Sequence, residues 1–260
     1  MITQLFKFII LLALSTTVFG QTNRPHANAH AHNDYRHKRP LLDALENGFT
    51  SVEADVHWFE GKLVVAHDTA TASSPTLEKK YFAPLDSVVK INKGLVYPGS
   101  TTQFFLMIDI KTKSELTYSA LKELLKHYPR LNCTTKSCAV KIFLSGERPL
   151  SIVLSEGYMG FGIDGRPEDI GKGYASQWMP VISDTYENWA TWKGQSPPGE
   201  KDLERIKELA NRVHSDGKKL RLWAIPDNSI AWQALLDAGV DFINSDRLRE
   251  LNLFLTNKDL

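Results

Sequence analysis

Short apolar segments rich in β-branched residues alternate with stretches of helical periodicity along most of the chain. The apolar segments fall at 27–33, 51–57, 104–111, 140–145, 159–164, 179–184, 219–225 and 241–245. Content of this kind predicts strands buried on both faces, as in a parallel sheet. Helical stretches lie between them. Residues 41–47 end at Gly48, a C-terminal helix stop. A helix capped by Ser114 is predicted to run to Tyr128, where Pro129 ends it. Leu116, Leu121, Leu124 and Leu125 give that helix one apolar face. Residues 201–215 and 229–238 read as further helices, stopped near Gly217 and Gly239. Strands alternating with helices imply βαβ units. Eight such strands predict closure into a single-domain (β/α)8 TIM barrel spanning 21–260. Two features depart from a bare barrel. Residues 63–66 form a short extra strand after the second one, and residues 69–102, with their Ser, Pro and Gly, read as a long functional loop.

Composition narrows the class. A hydrophobic fraction of 42% with 23% charged residues is that of a globular chain and not of a disordered one. The net charge of +1 gives no footprint for nucleic acid, so none is expected as a partner. At the N-terminus, Lys7 precedes an apolar run at 8–14, and small residues follow up to Gly20. This is the pattern of a secretory signal peptide over 1–20, and it predicts an exported protein, periplasmic or secreted. The run is too short for an ordinary transmembrane span. Export makes a disulfide between Cys133 and Cys138 an expectation.

In barrels of this kind the chemistry sits at the C-terminal ends of the strands. There the sequence places His32-Asn33-Asp34-Tyr35, Glu53-Ala54-Asp55, His67-Asp68 and Asp109-Ile110-Lys111. Glu53 and Asp55 are two apart on a strand and so point the same way. Two inward carboxylates are costly unless a cation neutralises them. With Asp109 they form an all-oxygen set suited to Mg²⁺, Mn²⁺ or Ca²⁺. A salt-bridged set is the alternative, with Lys111 placed to supply the bridge. Histidine is the natural acid–base group near neutral pH. His30, His32, His57 and His67 are all candidates, and position alone does not choose among them. Gly160-Phe161-Gly162-Ile163-Asp164-Gly165 fits a dinucleotide fingerprint, but its glycines lie inside a predicted strand, where close packing is the simpler reason for them.

The constellation resembles the glycerophosphodiester phosphodiesterases and their relatives, which share a barrel with phosphatidylinositol-specific phospholipases C. The resemblance rests on the acidic pair Glu53-Ala54-Asp55, a turn, the apolar strand and His67-Asp68, then on Leu106 to Lys111, Leu222-Trp223-Ala224, and Gly239 to Arg247, all in order. It implies that His32 and His67 are the catalytic pair and that Glu53, Asp55 and Asp109 hold one divalent cation, Mg²⁺ above Ca²⁺ or Mn²⁺. Lys111, Trp223 and Asn33 are expected to line the substrate pocket, Lys111 near the phosphate. The sequence departs from the usual His-Arg-Gly start, which here is His32-Asn33-Asp34, and Asp109 with Lys111 looks more like the sphingomyelinase D branch. The implied reaction is cleavage of a glycerophosphodiester or (lyso)phospholipid, with transient contact to a membrane surface and a cyclic phosphate as an expected product. A metal-dependent glycan lyase and a non-catalytic exported binding protein on the same barrel are the alternatives.

Overall fold

The structure is a computed structural model that describes residues 24–134 and 138–258. The expected signal peptide lies outside the described residues. Eight parallel strands close into a barrel: β1 (His26–Ala31), β2 (Phe49–Phe59), β4 (Phe104–Ile110), β5 (Val140–Gly146), β6 (Phe161–Gly165), β7 (Val181–Thr185), β8 (Lys219–Trp223) and β9 (Phe242–Ser245). β9 pairs back onto β1, which also pairs with β2, so the sheet has no free edge in the barrel. β3 (Lys62–Val65) is antiparallel to β2 and stands outside the ring. Every predicted strand is present, with ends shifted by a few residues.

The helices are α1 (Leu42–Glu46), α2 (Ala83–Ile91), α3 (Ser114–Lys126), α4 (Leu150–Glu156), α5 (Glu200–Ser215), α6 (Ser229–Asp237) and α7 (Leu248–Lys258). Between β6 and β7 the described chain has only a 3₁₀ turn at Pro167–Asp169. Three details revise the sequence expectations. The segment 69–102 is not one open loop, because a π turn at Glu78–Phe82 runs into α2, with Pro84 tolerated in the first turn. Ser114 does not cap α3. It is the first helical residue, and Lys113 occupies the cap position in a left-handed conformation (φ 51°). Leu116 is left exposed while Leu121 and Leu125 are buried, so the inward face of α3 is narrower than expected. Gly48 follows α1 at φ +76°, and a Cβ there would stand 2.5 Å from the Arg24 carbonyl. Conformation and space both demand glycine at that point.

The large core lies between barrel and helices, while a small separate one fills the lower barrel: Phe105, Met107, Phe143, Val181 and Phe242. Phe105 meets Phe242 edge-on, with ring centroids 5.1 Å apart. Two residues further along each strand the same inward face turns polar, since alternation has period two. Met107 is followed by Asp109, Phe143 by Ser145, Val181 by Ser183 and Phe242 by Asn244. The barrel is thus apolar at its floor and polar at its mouth. Gly162 and Gly165 are packing residues: added Cβ atoms would meet Pro180 Cδ at 2.8 Å and Ile182 Cδ1 at 2.4 Å. Cys133 and Cys138 are joined in a disulfide with Cα atoms 5.3 Å apart.

The floor carries a stability prediction. Phe242→Ala should cost about 3–5 kcal/mol, the usual scale for emptying a buried aromatic site. Urea unfolding of the variant measures this, and a loss below about 1 kcal/mol would mean the floor is not packed as described.

Candidate active site

β2 and β4 run in register, so Asp55 pairs with Asp109 across the sheet. Glu53 lies one alternation lower on β2. Ligand oxygens of Glu53, Asp55 and Asp109 all fall within 4.8 Å of one another. β5 brings Gly146 against this group. A Cβ at Gly146 would sit 2.0 Å from Asp109 Oδ1 and 2.4 Å from the Ile110 carbonyl, at a φ of +66°. Glycine here leaves the room that Asp109 occupies.

Two cationic side chains answer the three carboxylates. Arg221, from β8 on the far side of the barrel, places Nη2 3.3 Å from Glu53 Oε2. His30 Nε2 lies 3.5 Å from the same oxygen, and its Nδ1 is 2.7 Å from Ser51 Oγ. Burial above all, and then Arg221, pulls the His30 pKa down to about 4, so this ring is neutral. With Ser51 Oγ at Nδ1, the ring turns Nε2 towards Glu53. Burial opposes ionisation of Glu53, but the His30 hydrogen bond and the Arg221 charge outweigh it and hold Glu53 well below the usual carboxylate range. Lys111 Nζ is shared, 2.9 Å from Asp109 Oδ2 and 3.1 Å from Asp55 Oδ2. One negative charge is left over. The protein meets it by protonation: burial, then the Glu53 charge, pushes Asp55 up to about 7. Burial also raises Asp109. Apart from the Lys111 ion pair at Asp55 Oδ2, the oxygens of Asp55, and Oδ1 of Asp109, are buried without a hydrogen-bond partner. Buried unpartnered carboxylate oxygens, one charge short, in an all-oxygen set are what a divalent cation fits.

The histidines separate by depth. His30 is sealed inside the barrel and His57 is buried, its Nε2 3.2 Å from the His67 carbonyl oxygen. His32 and His67 reach the mouth, with side chains 33% and 43% exposed. His32 lies just past β1, and Asp246 Oδ1, just past β9, is 2.9 Å from its Nδ1. Burial works against the charged ring, but the Asp246 hydrogen bond and the charges of Glu53 and Asp246 prevail and raise its pKa. His67 arrives by a different route. β2 continues above the mouth, turns at Glu60 (φ 45°) and Gly61 (φ 80°), the positive pair of a type I′ hairpin, and β3 descends to Val65 opposite Val56. The Ala66 N–H then donates to the Asp55 carbonyl at 3.2 Å. His67 is thereby returned to the level of the carboxylates, with Nδ1 2.5 Å from Asp68 Oδ1.

The other expected residues are also at the mouth. Asn33 is buried in a left-handed conformation, its Nδ2 2.9 Å from His32 Nδ1 and 3.4 Å from Asp246 Oδ1. Trp223 ends β8, two residues beyond Arg221 on the same side, and is 42% exposed. Arg221, Asp246 and Tyr35 belong to the site although the sequence reading gave them no role. Arg221 stood two residues before Trp223, a charge between two leucines inside the strand, which was its one local signal. Tyr35 donates its hydroxyl to Asn33 Oδ1 at 2.5 Å, and its ring stacks on His67 with centroids 6.3 Å apart.

A family model described as the AIM6-like phosphodiesterase domain matches residues 21–155, which include both mouth histidines, the three carboxylates and Lys111. A protein of Eremothecium gossypii named altered inheritance of mitochondria protein 6 is 28% identical over 269 residues, covering 86% of this chain and 68% of its own. A homolog of that protein in Arthroderma benhamiae is 27% identical over 252 residues, covering 84% and 80%. Among solved structures, a glycerophosphodiester phosphodiesterase from Agrobacterium tumefaciens superposes with a TM-score of 0.53 at 13% identity, covering 89% of this chain and all of that one. At that identity the likeness is one of fold.

Two outcomes follow from the charge balance. Arg221→Met removes the partner of a buried carboxylate and should destabilise the protein by about 3–5 kcal/mol, much of it recovered in the double variant with Glu53→Gln. Urea unfolding of both checks this, and additive losses would refute the pairing. The second concerns pH. A group whose pKa is raised by folding contributes stability below its unfolded value of 3.8 and loses it as pH rises through about 7. Metal-free protein should therefore melt lower at pH 8 than at pH 5. Asp55→Asn should shrink that difference, and thermal melts at the two pH values measure it. A slope unchanged in the variant would show that Asp55 is not the group responsible.

Proposed function

The chain belongs to the family of AIM6-like phosphodiesterase domains, and from that premise we propose that it is a metal-dependent phosphoric diester hydrolase acting on glycerophosphodiesters or lysophospholipid-like substrates. The observation that carries the reading is the junction of three carboxylates, short of one counter-charge, with two mouth-exposed histidines that each have an aspartate at Nδ1. Glu53, Asp55 and Asp109 would hold the cation. Bound there, a divalent ion supplies positive charge to a non-bridging phosphate oxygen.

The chain's own residues account for the proton traffic. An aspartate at Nδ1 orients each ring and directs Nε2 to the mouth. One histidine accepts the proton of the attacking hydroxyl at Nε2, and the other, protonated, delivers one to the leaving oxygen. The raised pKa of His32 suits it to enter as the acid, which leaves His67 as the base. Lys111, whose Nζ stands beside Asp55 and Asp109, would add its positive charge at the phosphate. With both histidines committed to proton transfer and the carboxylates to the cation, none of these groups serves as the nucleophile. The attacker in this reading is a neighbouring hydroxyl of the substrate, which makes a cyclic phosphate the first product.

The proposed setting is outside the cytoplasm, a reading that the Cys133–Cys138 disulfide supports. Exposed Trp223 at the mouth suits passing contact with a lipid surface, since indole favours the headgroup region.

His32→Ala and His67→Ala should each lower kcat by about 10² or more on glycerophosphocholine or lysophosphatidylcholine, with the fold intact. His57→Ala should do less, since its ring nitrogen meets the His67 backbone and does not reach the mouth. EDTA should abolish turnover and Mg²⁺ restore it. Phosphorus NMR during turnover should show the cyclic phosphate. Full activity in EDTA, or in both mouth-histidine variants, would overturn the reading.

A further inference from the structure

The start of the site, His32-Asn33-Asp34-Tyr35, replaces His-Arg-Gly, and acid–base chemistry uses only its first residue. We propose that Tyr35 is a positioning residue that ties the two mouth histidines into one geometry, His67 through its ring and His32 through its hydroxyl and Asn33. The inference rests on the reading of those histidines as the acid–base pair.

The two rings come from unrelated elements. His32 follows a barrel strand, and His67 follows a hairpin strand outside the ring. An acid–base pair must nonetheless hold its separation closely, because a small misplacement of reacting groups costs orders of magnitude. Tyr35 reaches both. Its ring lies against His67, centroids 6.3 Å apart and planes 30° from parallel. Its hydroxyl donates to Asn33 Oδ1 at 2.5 Å. That bond fixes which end of the Asn33 amide faces which way: the oxygen is held by tyrosine, and the NH₂ group is presented to Asp246 Oδ1 at 3.4 Å, the same oxygen that lies 2.9 Å from His32 Nδ1. A flipped amide would set its oxygen against the Asp246 carboxylate. The order of hydrogen bonds from Tyr35 to Asn33 to Asp246 therefore leaves His32 one stable orientation.

The backbone is built to deliver the ring. Asn33 takes a left-handed conformation (φ 49°), which asparagine tolerates better than most residues, and a 3₁₀ turn at Asp34–Arg36 follows. Asp34 is fully buried and accepts the Leu41 N–H at 2.6 Å, closing the loop over 34–41 from below. With Asp34 pinned inward, the next residue is turned back over the mouth. Arg36 adds its guanidinium over the same ring, 5.9 Å from the centroid. Each residue of the departure from His-Arg-Gly thus has a part in placing Tyr35.

Imidazole NMR of the full chain, with and without Mg²⁺, tests the inference without any substrate. Tyr35→Phe keeps the ring and loses the hydroxyl, so the His32 resonances should shift while those of His67 stay. Tyr35→Leu should shift both, as His67 loses the ring current above it. On lysophosphatidylcholine or glycerophosphocholine, Tyr35→Phe should lower kcat about tenfold with KM little changed, which is the worth of one oriented hydrogen bond. Tyr35→Leu should lower it further. Asn33→Ala should give a similar loss to Tyr35→Phe, and the double variant should be no worse than either single one. The inference is overturned if Tyr35→Phe leaves the His32 resonances in place, if it raises KM alone, or if the two losses multiply. If neither substrate is turned over by the unaltered protein, the hydrolase reading fails, and the NMR result still decides whether Tyr35 links the rings.

Discussion

An ionised carboxylate inside a barrel has to be matched by a cation or give up its charge. That requirement arranges the upper half of this molecule. Glu53 is matched from across the barrel by Arg221. Asp55 and Asp109 share Lys111 from above. The remaining mismatch is met by a raised Asp55 pKa, a solution that leaves oxygens unsatisfied. The polar mouth can exist because the floor is filled by aromatic rings that exclude water and brace the strands. The cost of the site is thus carried by packing elsewhere, as is usual where a fold keeps charged groups in its interior.

The barrel was readable because it is written in local patterns. Continuous apolar runs bounded by turn residues report buried parallel strands whatever their neighbours are, and every expected strand was found. The helices were less so. α2 sits in a stretch whose Ser, Pro and Gly content signals a loop, and its apolar face is defined only by the barrel it covers. α7 keeps Leu248, Leu251 and Leu255 at helical spacing and is buried along that line, a pattern present in the sequence but short and next to the chain end.

The site divides in the same way. Glu53 and Asp55 share a face by strand alternation alone, and Asp109 joins them through a neighbouring strand. Arg221 does not follow from any local rule. Its contact with Glu53 spans 168 residues and exists only once the barrel has closed. The four histidines illustrate the limit more sharply. His30 and His32 are two apart and share a parity, yet one is neutral and sealed beneath Glu53 and the other stands at the rim beside Asp246. Alternation fixes the side of a strand on which a residue lies. Its depth depends on where the strand stops, which tertiary packing decides.

The hairpin that carries His67 has one further consequence. Its two-residue turn acts as a ruler, setting how far β3 descends before the chain leaves the sheet. Adding or deleting one residue at Glu60–Gly61 so that the register slips by one would reverse the facing of every β3 side chain and displace His67 along the strand direction by about 3.3 Å, while the residues supplied by the barrel strands keep their places. Turn length, as well as the identity of the residues around the carboxylates, therefore sets how far His67 stands from His32 across the mouth.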